Sequence, residues 1–392
     1  MRVLISVGAI GPALSAVEAT RALAGAWVAA GHEVLERPMS DGDEELVESV
    51  RSARGGELVP VLVRPVDIPG GDPGRVPAAL LHVPGRSGGT AFAETSVALG
   101  GGSVGSDAGV LLRTGTTAPV ADLVMAALQT GASRIVIGLG PTAVHDGGLG
   151  FLRRLAELLG FDDALASLPR LRERLGDVQL DVAAATDLPL LGLHGAGAAL
   201  SSRPGISPAQ AQEAERAVGE IAERILAAAD EGGGPAGAGS GLQLRSRPRP
   251  VVRPTRDQGT GAGGGSAFAL AVLGARLLPG AEVVAAETGV VELSGEVDLV
   301  LTGCTTLDGT AMHTGVVAAV GRAAMAHGVP VVAVGQDVQV SRRDGARVGV
   351  SATYPVRDPR TPGLAHQDPP AAADPWDDMV RRAERIRRTW AP

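Results

Sequence analysis

The chain has 392 residues, 45% hydrophobic and 20% charged, with a net charge of −8. This composition is globular, long enough for more than one core, and excludes a wholly disordered polypeptide, while the acidic balance argues against general nucleic-acid binding. No lysine occurs among the 35 basic residues and Cys304 is the single cysteine, so a P-loop lysine, a lysine base, an internal disulfide and a cysteine-rich metal site are all excluded.

From the N-terminus, Arg2–Val7 reads as a buried strand. Gly8, Gly11 and Pro12 interrupt its apolar run, and Val17, Leu23 and Trp27, with Glu18 and Arg21 between, continue as an amphipathic helix. The start is therefore strand, loop and helix rather than a signal peptide. An extended segment ends at Pro38-Met39, and the acidic loop Asp41-Gly42-Asp43-Glu44-Glu45 leads into another helix. Further apolar runs without alternation lie at 133–138, 297–303 and 328–335, each followed by a helix-like stretch. Such runs indicate strands buried on both faces, hence an α/β protein with largely parallel strands. In such sheets ligands sit beyond the carboxyl ends of the strands.

Two segments read as irregular. Residues 230–265 pass from a Gly/Ala/Ser stretch into Arg245, Arg247, Arg249, Arg253 and Arg256, interrupted by prolines and without aromatic residues. A solvated loop or edge strand is the plain reading and RNA binding the sharper one. Residues 357–375 are rich in Pro, Asp and Ala, a linker or wrapping loop. They lead into a final helix at 376–390, whose stripe Met379, Val380, Ala383 and Ile386 is expected to pack on the body of the protein. No stretch of about 18 residues is apolar and uncharged, so no membrane span is expected and a cytoplasmic location is the default.

Four acidic loop positions stand out: Asp41, Asp146 in His145-Asp146-Gly147-Gly148, Asp187, and Asp308 after Cys304-Thr305-Thr306-Leu307. Glycines after a buried strand let backbone N–H groups approach an anion, and an adjacent Asp can hold a hydrated Mg2+ that bridges phosphates. Asp-Gly is also a common turn dipeptide, so each position taken singly is open. Gly259-x-Gly261-x-x-Gly264 has the letters of a dinucleotide fingerprint but follows an Arg/Pro loop rather than a strand. His145 and His313 lack metal-ligand spacing, no Gly-x-Ser-x-Gly elbow occurs, and Cys304 reads as a buried inert thiol.

The pieces taken together resemble the bacterial type 1 glycerate kinases. The resemblance is carried by Leu14-Ser15-Ala16, Pro38-Met39-Ser40-Asp41-Gly42, Ile137-Gly138-Leu139-Gly140 and Asp146-Gly147-Gly148-Leu149-Gly150. It continues through Asp187 with Pro189-Leu190-Leu191-Gly192, Gly261-Ala262-Gly263-Gly264-Gly265, Gly274-Ala275-Arg276-Leu277-Leu278-Pro279-Gly280, Asp298-Leu299-Val300-Leu301-Thr302-Gly303, Leu307-Asp308-Gly309 and His327-Gly328-Val329-Pro330-Val331. It implies a flavodoxin-like parallel-sheet domain, 1–64 with 287–392, interrupted by a larger inserted α/β domain, 65–286, with the active site between them. It also implies ATP-dependent, Mg2+-assisted phosphorylation of a hydroxyl of glycerate or a related small hydroxy acid, with no nucleic-acid or membrane partner. On this pattern Asp41, Asp146 and Asp308 are catalytic, and Asp187 and Asp308 hold metal. Gly138, Gly140, Thr142, Gly147, Gly148, Gly261, Gly263 and Gly264 bind the nucleotide phosphates. An arginine would pair with the substrate carboxylate, and the sequence does not single it out.

The chain departs from the family pattern at charged positions. The family's Asp-Ser-Phe-Lys-Gly is Gly8-Ala9-Ile10-Gly11-Pro12, and its Glu-Gly-Arg is Cys304-Thr305-Thr306. The acid two before Asp187 is Ala185, and a lysine further on is Gly315. Codon drift toward a GC-rich genome would turn lysine into arginine, not glycine. A second reading therefore stands beside the kinase: a catalytically silent member that keeps the fold to bind a ligand or partner.

Overall fold

The structure, a computed structural model, describes residues 1–63, 76–100, 108–231, 255–357 and 374–391. Arg245, Arg247, Arg249 and Arg253, and most of the 357–375 segment, lie outside the described residues; Arg256 is described and exposed. The strands are β1 Arg2–Val7, β2 Glu33–Glu36, β3 Glu57–Val63, β4 Val76–Val83, β5 Thr90–Glu94, β6 Arg134–Leu139, β7 Gln179–Ala184, β8 Arg276–Pro279, β9 Leu299–Gly303, β10 Thr306–Leu307, β11 Val331–Gly335, β12 Asp337–Val338 and β13 Val350–Pro355. The chain divides into two units, residues 1–56 with 279–392, and residues 57–278. The sequence placed these junctions later, at 64/65 and 286/287. In the structure β3 opens the second unit by pairing with β4, and helix Gly280–Glu287 packs on helices Leu46–Arg54 and Val316–Met325 of the first.

In the first unit the sheet order is β13-β11-β9-β1-β2, with every pair parallel. Counted within the unit this is the 2-1-3-4-5 order of flavodoxin-like sheets, whose strand order reverses beside the first strand. Here the reversal falls between β1 and β9, which pair from Val3↔Leu299 to Val7↔Gly303 as the buried apolar runs led one to expect. On one face, Val3, Ile5, Val7, Leu299, Leu301, Val332 and Val334 pack with Leu23 and Trp27 of helix Ala16–Ala29 and with Met379, Ala383 and Ile386 of helix Pro375–Trp390. The first of these helices begins at a capping box, where the Glu18 N–H donates to Ser15 Oγ (3.3 Å) and the Ser15 N–H to Glu18 Oε2 (3.0 Å). The second is capped by Asp374, which accepts the Trp376 N–H at 3.0 Å. Val380, expected on the packed stripe, is exposed, because the buried positions recur at 379, 383 and 386 and leave it a quarter-turn away.

The second unit's sheet runs β3-β4-β5-β6-β7-β8. Pairs β3–β4 and β4–β5 are antiparallel, and β5–β6 and β6–β7 parallel, so the expectation of largely parallel strands is corrected for this half of the sheet. Asp181 on β7 is fully buried and braces three strands. It accepts from Arg276 Nε (2.6 Å) on β8, Arg134 Nε (2.7 Å) on β6 and Gln179 Nε2 (3.0 Å). Burial pushes its carboxyl upward, yet the hydrogen bonds from Arg276, Arg134 and Gln179 prevail and hold it below the ordinary value. Removing one side of a buried ion pair costs about 3–5 kcal/mol. Both arginines keep an edge in water, so Asp181→Ala is expected to destabilise the protein toward the lower end, about 3 kcal/mol, as a shift in urea midpoint.

Candidate functional site

The carboxyl end of the first unit's sheet is built from the loops that leave β1, β2, β9 and β11. Strand β2 is prolonged past its assigned end, since the Arg37 N–H donates to Ile5 O and the Met39 N–H to Val7 O, both at 2.9 Å, and this delivers Ser40 and Asp41 beyond the strand. Ser40 Oγ donates to Glu44 O at 2.6 Å and accepts the Gly42 N–H at 3.0 Å, so the acidic loop is tied at its base. Thr305 joins the other three loops. Its Oγ1 accepts the Gly11 N–H (2.9 Å) and donates to Ala9 O (3.3 Å), and its carbonyl accepts the Gln336 N–H (2.9 Å). The short β10–β12 pair follows from this tie.

Asp41 is exposed, and its carboxyl is nonetheless raised above the ordinary range. The surrounding chain strips water from it, the Asp43 N–H (3.3 Å) partly offsets this, and Glu44 adds repulsion. Asp308 accepts the Ala311 N–H on Oδ1 at 2.9 Å. Burial, with Asp308 and Asp41 nearby, pushes the Cys304 thiol up to about 12. Its Sγ donates to Thr306 O at 3.2 Å, consistent with the inert thiol the sequence suggested.

Gly11 has φ +66°, and a Cβ built on it would stand 2.5 Å from Gln336 Nε2. A lysine here would have to displace that carboxamide and hold a left-handed backbone that costs a side-chain-bearing residue roughly 1–2 kcal/mol. Gly8 differs: a Cβ there meets nothing closer than 3.4 Å, so packing does not exclude a side chain.

In the second unit, Asp146, expected to be catalytic, lies in a dense hydrogen-bond network. Its Oδ1 accepts Thr117 Oγ1 (2.8 Å) and the Gly148 N–H (3.0 Å). Its Oδ2 accepts the N–H groups of Thr117 (2.9 Å) and Gly150 (3.2 Å) and the Thr116 hydroxyl (3.2 Å). Thr117 in turn takes the Phe151 N–H at 2.9 Å. The carboxylate and its threonine thus satisfy first-turn amides of helix Leu149–Leu158 and pin the start of helix Ala118–Gln129. Five donors fill the four lone-pair sites of a carboxylate, which leaves none for a substrate hydroxyl. Thr116 and Thr117 were not singled out from the sequence. The helix-start pattern Thr117-Ala118-Pro119 is the signal that could have found them.

Several expected phosphate-binding groups are likewise engaged. Gly138 lies inside β6, paired with Glu94 and Ala183, and its carbonyl accepts Thr95 Oγ1 at 2.9 Å. Thr142 Oγ1 donates to Leu99 O (3.0 Å) and accepts the Val144 N–H (3.1 Å). The Gly261 N–H goes to Leu188 O (3.0 Å), the Gly263 N–H to Gly140 O (2.9 Å) and the Gly148 N–H to Asp146. These glycines serve loop-to-loop contact: at Gly264 a Cβ would stand 2.5 Å from Val144 O. Gly147 belongs to the same contact, facing Val218 and Ile221 of helix Pro208–Glu231. The Asp187 carbonyl accepts the Gly259 N–H at 3.1 Å. Asp187 and Asp308, the two expected metal ligands, belong to different units. Among the described residues no three or more His, Cys, Asp or Glu side chains gather as a metal cage. Mg2+ needs only one or two carboxylates beside phosphates and water, and Asp308, with Oδ2 outside the Ala311 bond, fits that demand.

His145 precedes the brace and is buried, its Nε2 without a partner among the described residues. Burial lowers its pKa to about 4, so it is neutral in the folded protein. The unfolded chain takes up a proton near the ordinary value of about 6.5 while the folded one does not, so stability present above that pH is lost as pH falls toward 4. The loss amounts to about 2 kcal/mol by pH 5, and His145→Gln is expected to flatten the urea-midpoint profile between pH 6.5 and 4.

Two α/β units, the first with a flavodoxin-like parallel sheet and the second with a mixed one, define a two-unit α/β protein. The profile of the glycerate kinase family matches residues 3–391, and the chain belongs to that family. It is 30% identical over 370 residues to an uncharacterized protein of Mycobacterium bovis, spanning 91% of this chain and 84% of that one. It is 28% identical over 378 residues to the glycerate kinase of Bacillus subtilis, spanning 91% and 90%. A crystal structure assigned to a glycerate kinase 2 of Salmonella typhimurium LT2 shares the fold, with TM-score 0.70, 23% identity, and 99% and 98% of the two chains covered. No helix among the described residues is long and apolar enough to cross a membrane.

Proposed function

We propose that the protein transfers the γ-phosphoryl group of ATP to a hydroxyl of glycerate or a closely related small hydroxy acid. The observation that carries this reading is the pair Asp41 and Asp308, both close enough to Cys304 to raise its thiol pKa, in loops beyond the strands of a switch-point sheet in a chain whose family membership spans 3–391. Asp41, open to solvent and with a raised pKa, takes the proton of the attacking hydroxyl. Asp308, whose Oδ2 lies outside the Ala311 bond, is the residue that would hold Mg2+. When bound, ATP supplies the phosphoryl group and Mg2+ neutralises charge on it.

One observation favours the second reading, a silent member. Gly11 has a left-handed backbone that disfavours a longer side chain and lies against the Gln336 carboxamide, so the loop holds no cation at this position. Losing one preorganised charge-stabilising group typically costs about 2.7–4 kcal/mol of transition-state stabilisation. A coupled ADP-release assay with ATP, Mg2+ and D-glycerate separates the two. The kinase reading predicts glycerate-dependent turnover above an Asp41→Asn control; turnover equal to that control rejects it.

A further inference from the structure

We infer that Arg203 is an anion-binding residue of the second unit and that its ligand is an oxyanion group, carboxylate or phosphate. Arg203 lies in the turn between Ser202 and Pro204, half-buried, and among the described residues its guanidinium has neither an ion pair nor a hydrogen bond. Other partly covered arginines of this unit are satisfied: Arg134 by Asp181, Arg154 by Asp122, and Arg172 by the carbonyls of Val272 and Ala229. Burial lowers the Arg203 pKa, and no interaction acts the other way. A cation that has lost part of its water and gained no partner is less favourable than one that a ligand pairs.

Its position is fixed rather than incidental. Leu200 and Ile206, on either side of the turn, are buried in one cluster with Ala143 and Val144 of the loop leaving β6. Just before them, a Cβ on Gly197 would stand 3.1 Å from His145 Nε2, so this segment closes directly on the buried imidazole. His145 Nε2 is itself buried and unpartnered. The turn that carries Arg203 is therefore anchored against the loop leaving β6, the end of a strand at which α/β sheets take their ligands. Arginine suits a planar oxyanion through its two-pronged donor geometry.

The inference rests on the kinase reading for the ligand's identity: the acceptor's carboxylate or the nucleotide's phosphates. The test reads binding without turnover, so the two stand or fall separately. Full-length protein, Arg203→Gln and Arg203→Lys are titrated with D-glycerate, with ATP-Mg2+ and with inorganic phosphate, following Tm and calorimetric Kd. Without ligand, Arg203→Gln is expected to melt at or above the parent, because an unpaired desolvated charge is gone. With ligand it is expected to lose about tenfold or more in affinity, and Arg203→Lys to recover part of it. Loss confined to glycerate identifies a carboxylate subsite, and loss confined to ATP and phosphate identifies a phosphate subsite; either supports the inference. Unchanged affinity for all three probes in Arg203→Gln, no binding of any probe by the parent, or a ligand-free Tm lowered by several degrees would overturn it. Glycerate bound through Arg203 without any phosphoryl transfer would sink the kinase reading alone.

Discussion

Asp146→Ala is expected to destabilise the protein by about 3–5 kcal/mol, a large part of the 5–15 kcal/mol that holds a typical domain folded. The substitution leaves the N–H groups of Thr117, Gly148 and Gly150 without their acceptor at the starts of two helices. Each buried donor left unmade costs roughly 1–3 kcal/mol, with part recovered by water entering the gap and by the threonine hydroxyls rotating to new partners. Burial raises the Asp146 carboxyl above its ordinary value despite hydrogen bonds from Thr117, Gly148 and Gly150, so the charge itself carries a desolvation cost that the donors offset. Asp146→Asn keeps one acceptor oxygen and should lose less than alanine. Urea denaturation distinguishes this role from a catalytic one. A variant with parental stability and abolished turnover would show that Asp146 acts in chemistry after all.

The second large effect is on rate. Asp41→Asn is expected to lower turnover about 100-fold or more, the usual worth of a positioned general base, while leaving the urea midpoint nearly unchanged. The Asp41 carboxylate holds the Asp43 N–H and its own backbone N–H, local contacts that asparagine can keep, so little of the fold depends on its charge. Because its carboxyl is raised above the ordinary range, the base is lost to protonation as pH falls. The parent's kcat/KM should therefore decline on an acid limb that lies above the usual carboxylate pKa, and the variant should lack that limb. A variant whose rate and pH profile match the parent would remove Asp41 from the reaction.

The parallel strands of the first unit were legible because β1, β9 and β11 are buried on both faces, and burial on both faces writes itself as an unbroken apolar run. The antiparallel β3–β4–β5 region was not. Pro60 sits in the middle of edge strand β3, whose solvent-facing residues give neither a clean run nor a clean alternation. The family's acidic and glycine positions could be read as motifs, but their roles could not. Asp146 is written identically whether it meets a substrate or caps two helices, and what decides is Thr116-Thr117, some 30 residues upstream. Gly138 and Gly261 looked like phosphate cradles because sequence shows glycine and not where its N–H points. Arg203 was hidden for a plainer reason: among 35 arginines, a missing partner is visible only in three dimensions.

The phosphorylated product itself tests the proposed activity most directly. Full-length protein is incubated with ATP, Mg2+ and D-glycerate and followed by 31P NMR. The account predicts a new phosphomonoester resonance that grows in step with ADP, depends on glycerate, and is nearly absent with Asp41→Asn. ATP that persists unchanged, with no phosphomonoester formed by protein that is folded and binds glycerate, would contradict it and leave the silent family member as the reading of this chain.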